Sequence, residues 1–495
     1  MKFAEHIEIA KGQIRQQMLI DGKWQAAASG QTSAVHDPAR GEVIAQVPLA
    51  GEEDIDRAVK AARRAFDERA WRDMLPAVRE RLLLKFADLV EADAERLAHL
   101  ETLNQGKPLP LALGAEVAGS VQWLRYMAGW ATKIEGHTVD LSFPLPPGTR
   151  YRAMVQRVPV GVVGAIVPWN FPMMMAVWKI APALATGCTV VLKPAEETPL
   201  TAIRLAELAL EAGIPAGVFN VVTGNGATGA ALVAHAGVDK ITFTGSTVTG
   251  KAIAQRCAVD VRRAALELGG KSPVIVLDDC DTERAVMGAT QGFLLNSGQV
   301  CTAGSRLYVP KKRFDEVVAG VADVAGKATL GSGFDPDAQI GPLVSARHKE
   351  RVMRLIESGE REGAKLLTPI RPDESSGYFV APAVFANTSG QPMTLVREEV
   401  FGPVIIAMPY DDLYDVIRQA NDSVYGLGAS VWTNDFTRAL RLADRIDAGT
   451  VWINAHNVID PAMPFGGMKQ SGIGREHGRA AIDGYTETKS VCLSF

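Results

Sequence analysis

Apolar positions recur at helical spacing from Glu52 to about residue 133. Ile55, Ala58, Val59, Ala62 and Phe66 fall three or four apart, and so do Leu82, Leu83, Phe86, Leu89 and Val90. That period predicts a run of helices packed as a layer on something else. Ahead of it, residues 1 to about 50 read as short extended pieces, hairpin-like at 19–24 and turning at Asp37-Pro38. Residues 139–158 read as extended again, with Pro144, Pro146, Pro147 and Gly148 at a hairpin tip.

A regular alternation then begins. Residues 160–167 form a continuous apolar strand pattern between Pro159 and Pro168, followed by a helical run over 171–186. A second strand is predicted at 189–192, and then a helix to Ala212, which Thr198 can cap and Gly213 ends. The pattern continues as strand 218–223, helix 227–236, strand 240–244 and helix 248–258. Apolar strands alternating with helices imply βαβ units in a parallel sheet buried on both faces. After Ser272 the alternation restarts: strand 273–277, the helix before Cys301, strand 306–310 and helix 314–328, then strands at 404–408, 428–432 and 449–453. This reads as a second α/β domain with its boundary near Gly269-Gly270, and residues 486–495 read as a terminal strand.

With 495 residues, two or three domains are expected. Hydrophobic residues at 47% and charged residues at 22% describe a soluble globular chain. The net charge of -4 gives no electrostatic reason to expect nucleic acid or an anionic membrane as partner. Residues 1–10 carry Glu5, His6 and Glu8 and lack a signal-peptide core, and no apolar run approaches a membrane span. The five cysteines, at 188, 257, 280, 301 and 492, are odd in number and never in C-x-x-C spacing. That suits a reducing cytoplasm and suggests neither a disulfide framework nor a zinc knuckle. No H-E-x-x-H and no G-x-S-x-G occurs, so no metal site and no serine-hydrolase elbow is expected.

The chemistry concentrates in Gln299-Val300-Cys301-Thr302-Ala303-Gly304-Ser305, with Glu267 upstream in Leu266-Glu267-Leu268-Gly269-Gly270-Lys271. A cysteine nucleophile with a carboxylate base can run acyl chemistry through a covalent intermediate, although a lone cysteine among apolar residues is commonly an inert core thiol. Two segments compete to hold a phosphate. Gly224-Asn225-Gly226-Ala227-Thr228-Gly229 matches G-x-G-x-x-G after a strand. Gly245-Ser246 opens the next helix, where free N–H groups also favour an anion. Glu196 in Lys193-Pro194-Ala195-Glu196 follows the second strand, where an acid would accept ribose hydroxyls and disfavour a 2′-phosphate.

Seven motifs occur in order: Pro168-Trp169-Asn170-Phe171-Pro172, Lys193-Pro194-Ala195-Glu196, Phe243-Thr244-Gly245-Ser246, Glu267-Leu268-Gly269-Gly270, Gly298-Gln299-Val300-Cys301, Glu398-Glu399-Val400-Phe401-Gly402-Pro403 and Pro464-Phe465-Gly466-Gly467. Together they resemble the aldehyde dehydrogenase superfamily, from about Ile20 to Ser494. The resemblance implies a Rossmann-like NAD-binding domain (1–138 and 159–268), a second α/β catalytic domain (269–480) and a small β oligomerisation element (139–158 and 481–495). It implies a homo-oligomer, a tetramer built as a dimer of dimers. It also implies NAD rather than NADP, with NADP weaker. Pyrophosphate would sit at Gly245 and Ser246, the adenosine ribose at Lys193 and Glu196, and the adenine near Gly226. Glu399 and Phe401 would contact the nicotinamide riboside, and Ile166 and Trp169 complete the implied cofactor set.

In the implied mechanism Cys301 attacks an aldehyde, Asn170 and the Cys301 N–H stabilise the oxyanion, and Glu267 activates water on the thioester. Lys179 and Glu476 resemble a buried proton-relay pair, and a plain salt bridge is the alternative. Glu267 favours hydrolysis to the free acid over acyl transfer to CoA, and Glu196 argues against a succinate-semialdehyde enzyme. The implied substrate tunnel, Phe171, Met174, Met175, Trp178, Leu295, Val300, Ile459 and Phe465, is apolar, with Asp460 at its edge. The segment 452–461, with 472–478 and 489–492, is similar to the phenylacetaldehyde dehydrogenases of that superfamily, which points to a hydrophobic arylacetaldehyde. Asp460 leaves an amino-aldehyde or betaine-aldehyde-type substrate as the alternative. Two further readings are a structural member without catalysis, against which Cys301, Glu267 and Asn170 all speak, and an ester hydrolase using the same thiol.

Overall fold

The computed structural model describes residues 5–6, 9–10, 14–142, 148–369 and 376–495. Pro144, Pro146 and Pro147 of the expected hairpin tip lie outside the described residues. The strands that the tip would join, His137–Asp140 and Tyr151–Pro159, pair antiparallel.

Two large sheets carry the two alternations. The first has eight strands in the order Gly472–Ile473, Arg263–Glu267, Lys240–Thr244, Val162–Ile166, Thr189–Lys193, Phe219–Val221, Met18–Ile20, Lys23–Gln25. Its five central strands run parallel, as the alternation predicts, although Lys240–Thr244 and Arg263–Glu267 carry polar residues and the latter was not among the predicted strands. Both edges are antiparallel, so the sheet is mixed and not purely parallel. The edge strand Gly472–Ile473 comes from within 269–480, the stretch assigned to the second domain. Two residues carry no readable period. What seats them is the Ser471 turn, where Leu268 N–H donates to the Ser471 carbonyl at 2.9 Å and Ser471 Oγ donates to the Gly269 carbonyl at 2.7 Å.

The second sheet orders Lys365–Leu366, Ala383–Ala386, Val404–Tyr410, Arg306–Pro310, Pro273–Val276, Gly428–Trp432 and Thr450–Ile453. It is parallel except at Lys365–Leu366. A third sheet of three antiparallel strands joins Thr486–Ser494 and His137–Asp140 to opposite edges of Tyr151–Pro159. Every residue of the helix Pro172–Thr186 is buried, as an apolar helix between layers must be. The helix Leu200–Ala212 ends at Gly213 with φ +97°, as its sequence predicts. Thr198 does not cap it. Pro199 takes the N-cap position, its carbonyl accepting from Ile203 N–H at 3.2 Å, and the Thr198 hydroxyl is buried elsewhere.

Arg306 opens a central strand of the second sheet and is buried. Its guanidinium donates to the carbonyls of Lys271 (2.9 Å), Gln419 (3.2 Å) and Ala420 (2.8 Å) and to Tyr308 Oη (3.2 Å). It thus ties the start of the sheet to the helix Leu413–Asn421. Arg306→Met strips these acceptors of their donor, and we expect it to lower the unfolding free energy by about 3 kcal/mol. Urea denaturation followed by tryptophan fluorescence measures this. A loss below about 1 kcal/mol would mean that the guanidinium is not what joins these elements.

Candidate functional site

A cavity of about 910 Å³ opens beyond the C-terminal ends of the parallel strands of the first sheet, against the segments that lead into the strands Arg306–Pro310 and Val404–Tyr410 of the second. Cys301, Asn170, Trp169, Gly245, Ser246, Glu399 and Phe401 all line it, and so do Phe171, Met174, Met175, Trp178, Leu295, Val300, Ile459 and Phe465. Residues hundreds of positions apart in sequence are thereby brought to one chamber.

Cys301 sits just after a tightly wound turn. Asn296, Ser297 and Gly298 all have positive φ (50°, 58° and 74°), a left-handed run that only external bonds can hold. Those bonds are present. Asn296 Nδ2 donates to the Asn170 carbonyl at 2.8 Å, Ser297 Oγ to the Gly341 carbonyl at 2.8 Å, and Val344 N–H to Gln299 Oε1 at 3.0 Å. A Cβ on Gly298 would collide with the Gly402 carbonyl, so glycine is required there. Asn170 Nδ2 donates one hydrogen to the Gln299 carbonyl at 2.9 Å, which leaves its second hydrogen to donate elsewhere.

Burial pushes the Cys301 thiol up to about 12, with the carboxylates of Glu399 and Glu267 adding to the rise. The N–H groups of Thr302 and Cys301 favour the thiolate but do not outweigh burial. The resting sulfur is therefore a thiol, and a base must take its proton. Glu267 ends the strand Arg263–Glu267, fully enclosed behind the cavity wall rather than lining it. Burial, then the neighbouring Glu476, holds its carboxyl well above the usual range, against the pull of Lys179 and Arg475. Lys179 and Glu476 bond directly to each other in the same interior. These three predicted residues form one buried cluster beyond the chamber.

The two phosphate-binding candidates separate clearly. Gly245 and Ser246 line the cavity at the start of the helix Thr247–Val259, and a Cβ on Gly245 would strike the Phe243 ring. Gly226 lies outside the lining. Asn225 Oδ1 already accepts from the N–H groups of Ala227 (2.9 Å) and Thr228 (3.4 Å), occupying that helix start. Lys193 is buried, with Nζ donating to the Pro194 carbonyl at 2.8 Å, and burial brings it down to about 8. Its stem passes Gly229, beside which Ile166 also packs. Neither Lys193 nor Ile166 lines the chamber. Glu196 lies outside the lining too, 4.0 Å from Arg347, whereas Glu197 lines it. Glu399 accepts from Gly270 N–H at 2.9 Å and is pushed up to about 7, chiefly by burial. Phe401 has φ +61° and packs edge-on against Trp169 at 5.2 Å.

Arg347, His348, Arg351 and Arg354 line the chamber from the helix Ala346–Arg361, a group the sequence reading missed. His348 Nε2 lies 2.7 Å from the Phe401 carbonyl and helps hold its strained backbone. The i, i+4, i+7 spacing of three arginines was the available signal, but it also describes an ordinary solvated helix face. Trp123 was missed as well; it stacks on Trp178 at 5.5 Å and extends the apolar wall. Asp460, expected at the tunnel edge, is exposed and outside the lining, its Oδ1 accepting from Ala462 N–H at 2.8 Å.

Residues 24–491 match the model of the aldehyde dehydrogenase family. The chain is 54% identical to phenylacetaldehyde dehydrogenase of Pseudomonas fluorescens over 97% of its own length and 96% of that protein. Among solved structures, the NAD+ complex of aldehyde dehydrogenase from Bacillus cereus is 47% identical, with a TM-score of 0.94 over 100% of this chain and 99% of that one. The P. syringae indole-3-acetaldehyde dehydrogenase in complex with NAD+ and IAA is 40% identical, with a TM-score of 0.95 over 100% of both chains.

A protonated resting thiol makes a direct prediction. Site-resolved alkylation of Cys301 by iodoacetamide should be slow near neutrality and still climb about tenfold per pH unit above about pH 9. A plateau below about pH 8 would show a thiolate instead.

Proposed function

The chain belongs to the aldehyde dehydrogenase family, and from that premise we propose that it oxidises a hydrophobic arylacetaldehyde to the free acid with NAD. The observation that carries this reading is the shape of the chamber. An apolar wall of Phe171, Met174, Trp178, Leu295 and Phe465 leads to Cys301 and Asn170, and a helix N-terminus at Gly245-Ser246 opens on the other side. The relative at 54% identity is a phenylacetaldehyde dehydrogenase, and an indole-3-acetaldehyde dehydrogenase shares the fold throughout. Asp460 faces solvent, which removes the motive for an amino-aldehyde.

The glycine cradle fits a dinucleotide. Gly245 admits no Cβ, so the loop can approach a pyrophosphate closely, and the start of Thr247–Val259, where Ser246 Oγ accepts only from Thr249 N–H at 3.2 Å, favours its charge. Trp169, Glu399 and Phe401 would hold the nicotinamide riboside, with Lys193, Glu196 and Ile166 on the adenosine side. When bound, NAD supplies the hydride acceptor. The Cys301 sulfur attacks the aldehyde carbon as Glu267 takes its proton, and the free Nδ2 hydrogen of Asn170 donates to the oxyanion. Loss of one such donor typically costs roughly 3–4 kcal/mol. After hydride departure leaves a thioester on Cys301, Glu267 loses the first proton and removes one from water, the acid is released, and that second proton returns to the expelled Cys301 sulfur to restore the thiol. The rest of the assignment follows the same premise. Residues 1–138 and 159–268 bind cofactor, 269–480 carry the thiol, and 139–158 with 481–495 assemble a cytoplasmic tetramer. The exposed apolar side chains of Val139, Leu141, Leu493 and Phe495 around the three-stranded sheet support an assembling role for that element.

NADH formation from phenylacetaldehyde, hexanal, acetaldehyde, betaine aldehyde, aminobutyraldehyde and succinate semialdehyde tests the proposal. We expect the highest kcat/KM for phenylacetaldehyde and no turnover by Cys301→Ala. Glu267→Gln should keep a first-turnover NADH signal while steady-state turnover falls about a hundredfold or more. Preference for aminobutyraldehyde or betaine aldehyde would overturn the substrate assignment. A silent panel would overturn the activity.

A further inference from the structure

His456 lies outside the lining of the chamber, whereas the three residues after it, Asn457, Val458 and Ile459, all line it. Its ring is seated against two glycines. A Cβ on Gly292 would stand 3.3 Å from the ring and one on Gly304 3.1 Å from it, tighter than ordinary contact. Gly304 N–H donates to the Gly292 carbonyl at 3.0 Å and closes that seat, and Trp452 flanks the ring at 5.0 Å.

Both ring nitrogens are bonded. Nε2 lies 2.8 Å from the Thr302 carbonyl and Nδ1 2.9 Å from Ser430 Oγ. Burial brings the imidazole down to about 4, so the ring is neutral near pH 7. A carbonyl only accepts, so Nε2 carries the ring's one hydrogen and Nδ1 accepts from the Ser430 hydroxyl. Ser430 Oγ accepts in turn from Trp432 Nε1 at 3.2 Å. The chain from Trp432 through Ser430 and His456 to Thr302 therefore has one direction, set by its two ends. It runs from a strand of the second sheet, Gly428–Trp432, to the residue after the nucleophile.

Thr302 is tied in turn to the chamber wall. Its Oγ1 donates to Asn457 Oδ1 at 2.7 Å. Asn457 and Asn454 both have left-handed backbone (φ +59° and +56°), so the segment between them depends on such bonds for its shape. The turn that presents Cys301 is held separately, by Asn296, Ser297 and Gln299.

We propose that His456 is a positioning residue that locks the wall segment 457–459 to Thr302, and that this lock makes turnover selective for an aryl side chain. It rests on the dehydrogenase reading above. A flat ring has no internal rotors and takes its orientation from the wall it lies against, and a misplacement of about 1 Å can cost about a hundredfold. A methyl group is too small to be oriented in this way. Loss of the lock thus frees Asn457 and Ile459 without moving the thiol, and chiefly the aryl substrate suffers.

The test measures kcat/KM for phenylacetaldehyde and for acetaldehyde on the full-length enzyme at saturating NAD. His456→Phe keeps a ring in the seat but breaks both bonds. It should lower kcat/KM for phenylacetaldehyde by about tenfold to a hundredfold, and for acetaldehyde by no more than about threefold. His456→Gln, whose amide N–H can still donate to the Thr302 carbonyl, should return both values to within about threefold of wild type. Ser430→Ala leaves the ring in place and removes only the bond at Nδ1. A selective loss of about threefold to tenfold is expected there, and it reads the lock even if His456→Phe fails to fold. A merely structural role would reduce both substrates by the same factor. Equal losses, or no loss in either variant, would overturn the lock, while NADH formation by the wild-type protein keeps the dehydrogenase reading. Absence of NADH from the wild-type protein with both aldehydes would overturn both.

Discussion

The main-chain carbonyl of Asn170 is the point on which the chamber depends. It accepts from Lys107 Nζ at 3.1 Å and from Asn296 Nδ2 at 2.8 Å, while the Asn170 side chain donates to the Gln299 carbonyl. One residue of the first alternation is thereby tied to both sides of the left-handed turn that presents Cys301. Lys107 is fully buried, bonds to Glu116 and lies near Glu101, and Glu116 in turn accepts from Met174 N–H at 2.8 Å at the start of the helix Pro172–Thr186. A buried ion pair brings little net stability over an apolar replacement, yet losing one partner is severe. Here its value is geometric. It fixes a donor and a nucleophile, from different sheets, relative to each other.

Burial sets the chemistry within that frame. Cys301, Glu267 and Glu399 are all held toward their neutral forms, and Lys271 is brought down to about 7, burial being the leading cause each time. The buried charges that remain are paired, as in Lys107–Glu116 and Lys179–Glu476, and each charge that develops during reaction meets a fixed dipole rather than bulk solvent. This is the setting in which a single oriented N–H from Asn170 has most effect.

Much of this was legible in the chain. Four of the five central strands of the first sheet were visible in the alternation, whereas Arg263–Glu267 was not, and Cys301, Asn170, Ser246, Glu399 and Phe401 do meet in one chamber. What could not be read has physical causes. The two glycine loops both follow a strand, both open a helix and both carry a side-chain cap, Asn225 on one and Ser246 on the other, so only the placement of Gly245 and Ser246 at the cavity separates them. Glu196 and Glu197 are adjacent acids, and which one faces the cavity depends on the turn after the strand Thr189–Lys193. Gly472–Ile473 is too short to show a period, and it joins the first sheet through a single serine turn. Arg351 and His348 sit on a helix whose polar face looks solvated until the Phe401 carbonyl is placed against it.

On the strand Lys240–Thr244 the side chains of Lys240, Thr242 and Thr244 alternate with Ile241 and Phe243 and all are buried; the sequence placed this strand in a sheet buried on both faces but could not show what its polar side chains meet. The chamber in front of Cys301 is walled by methionine, phenylalanine and tryptophan, so an apolar substrate entering there displaces the water that could carry protons away. Glu267 lies behind that wall, where its Oε2 and Glu476 Oε2 are among the buried oxygens without a hydrogen-bond partner among the described residues.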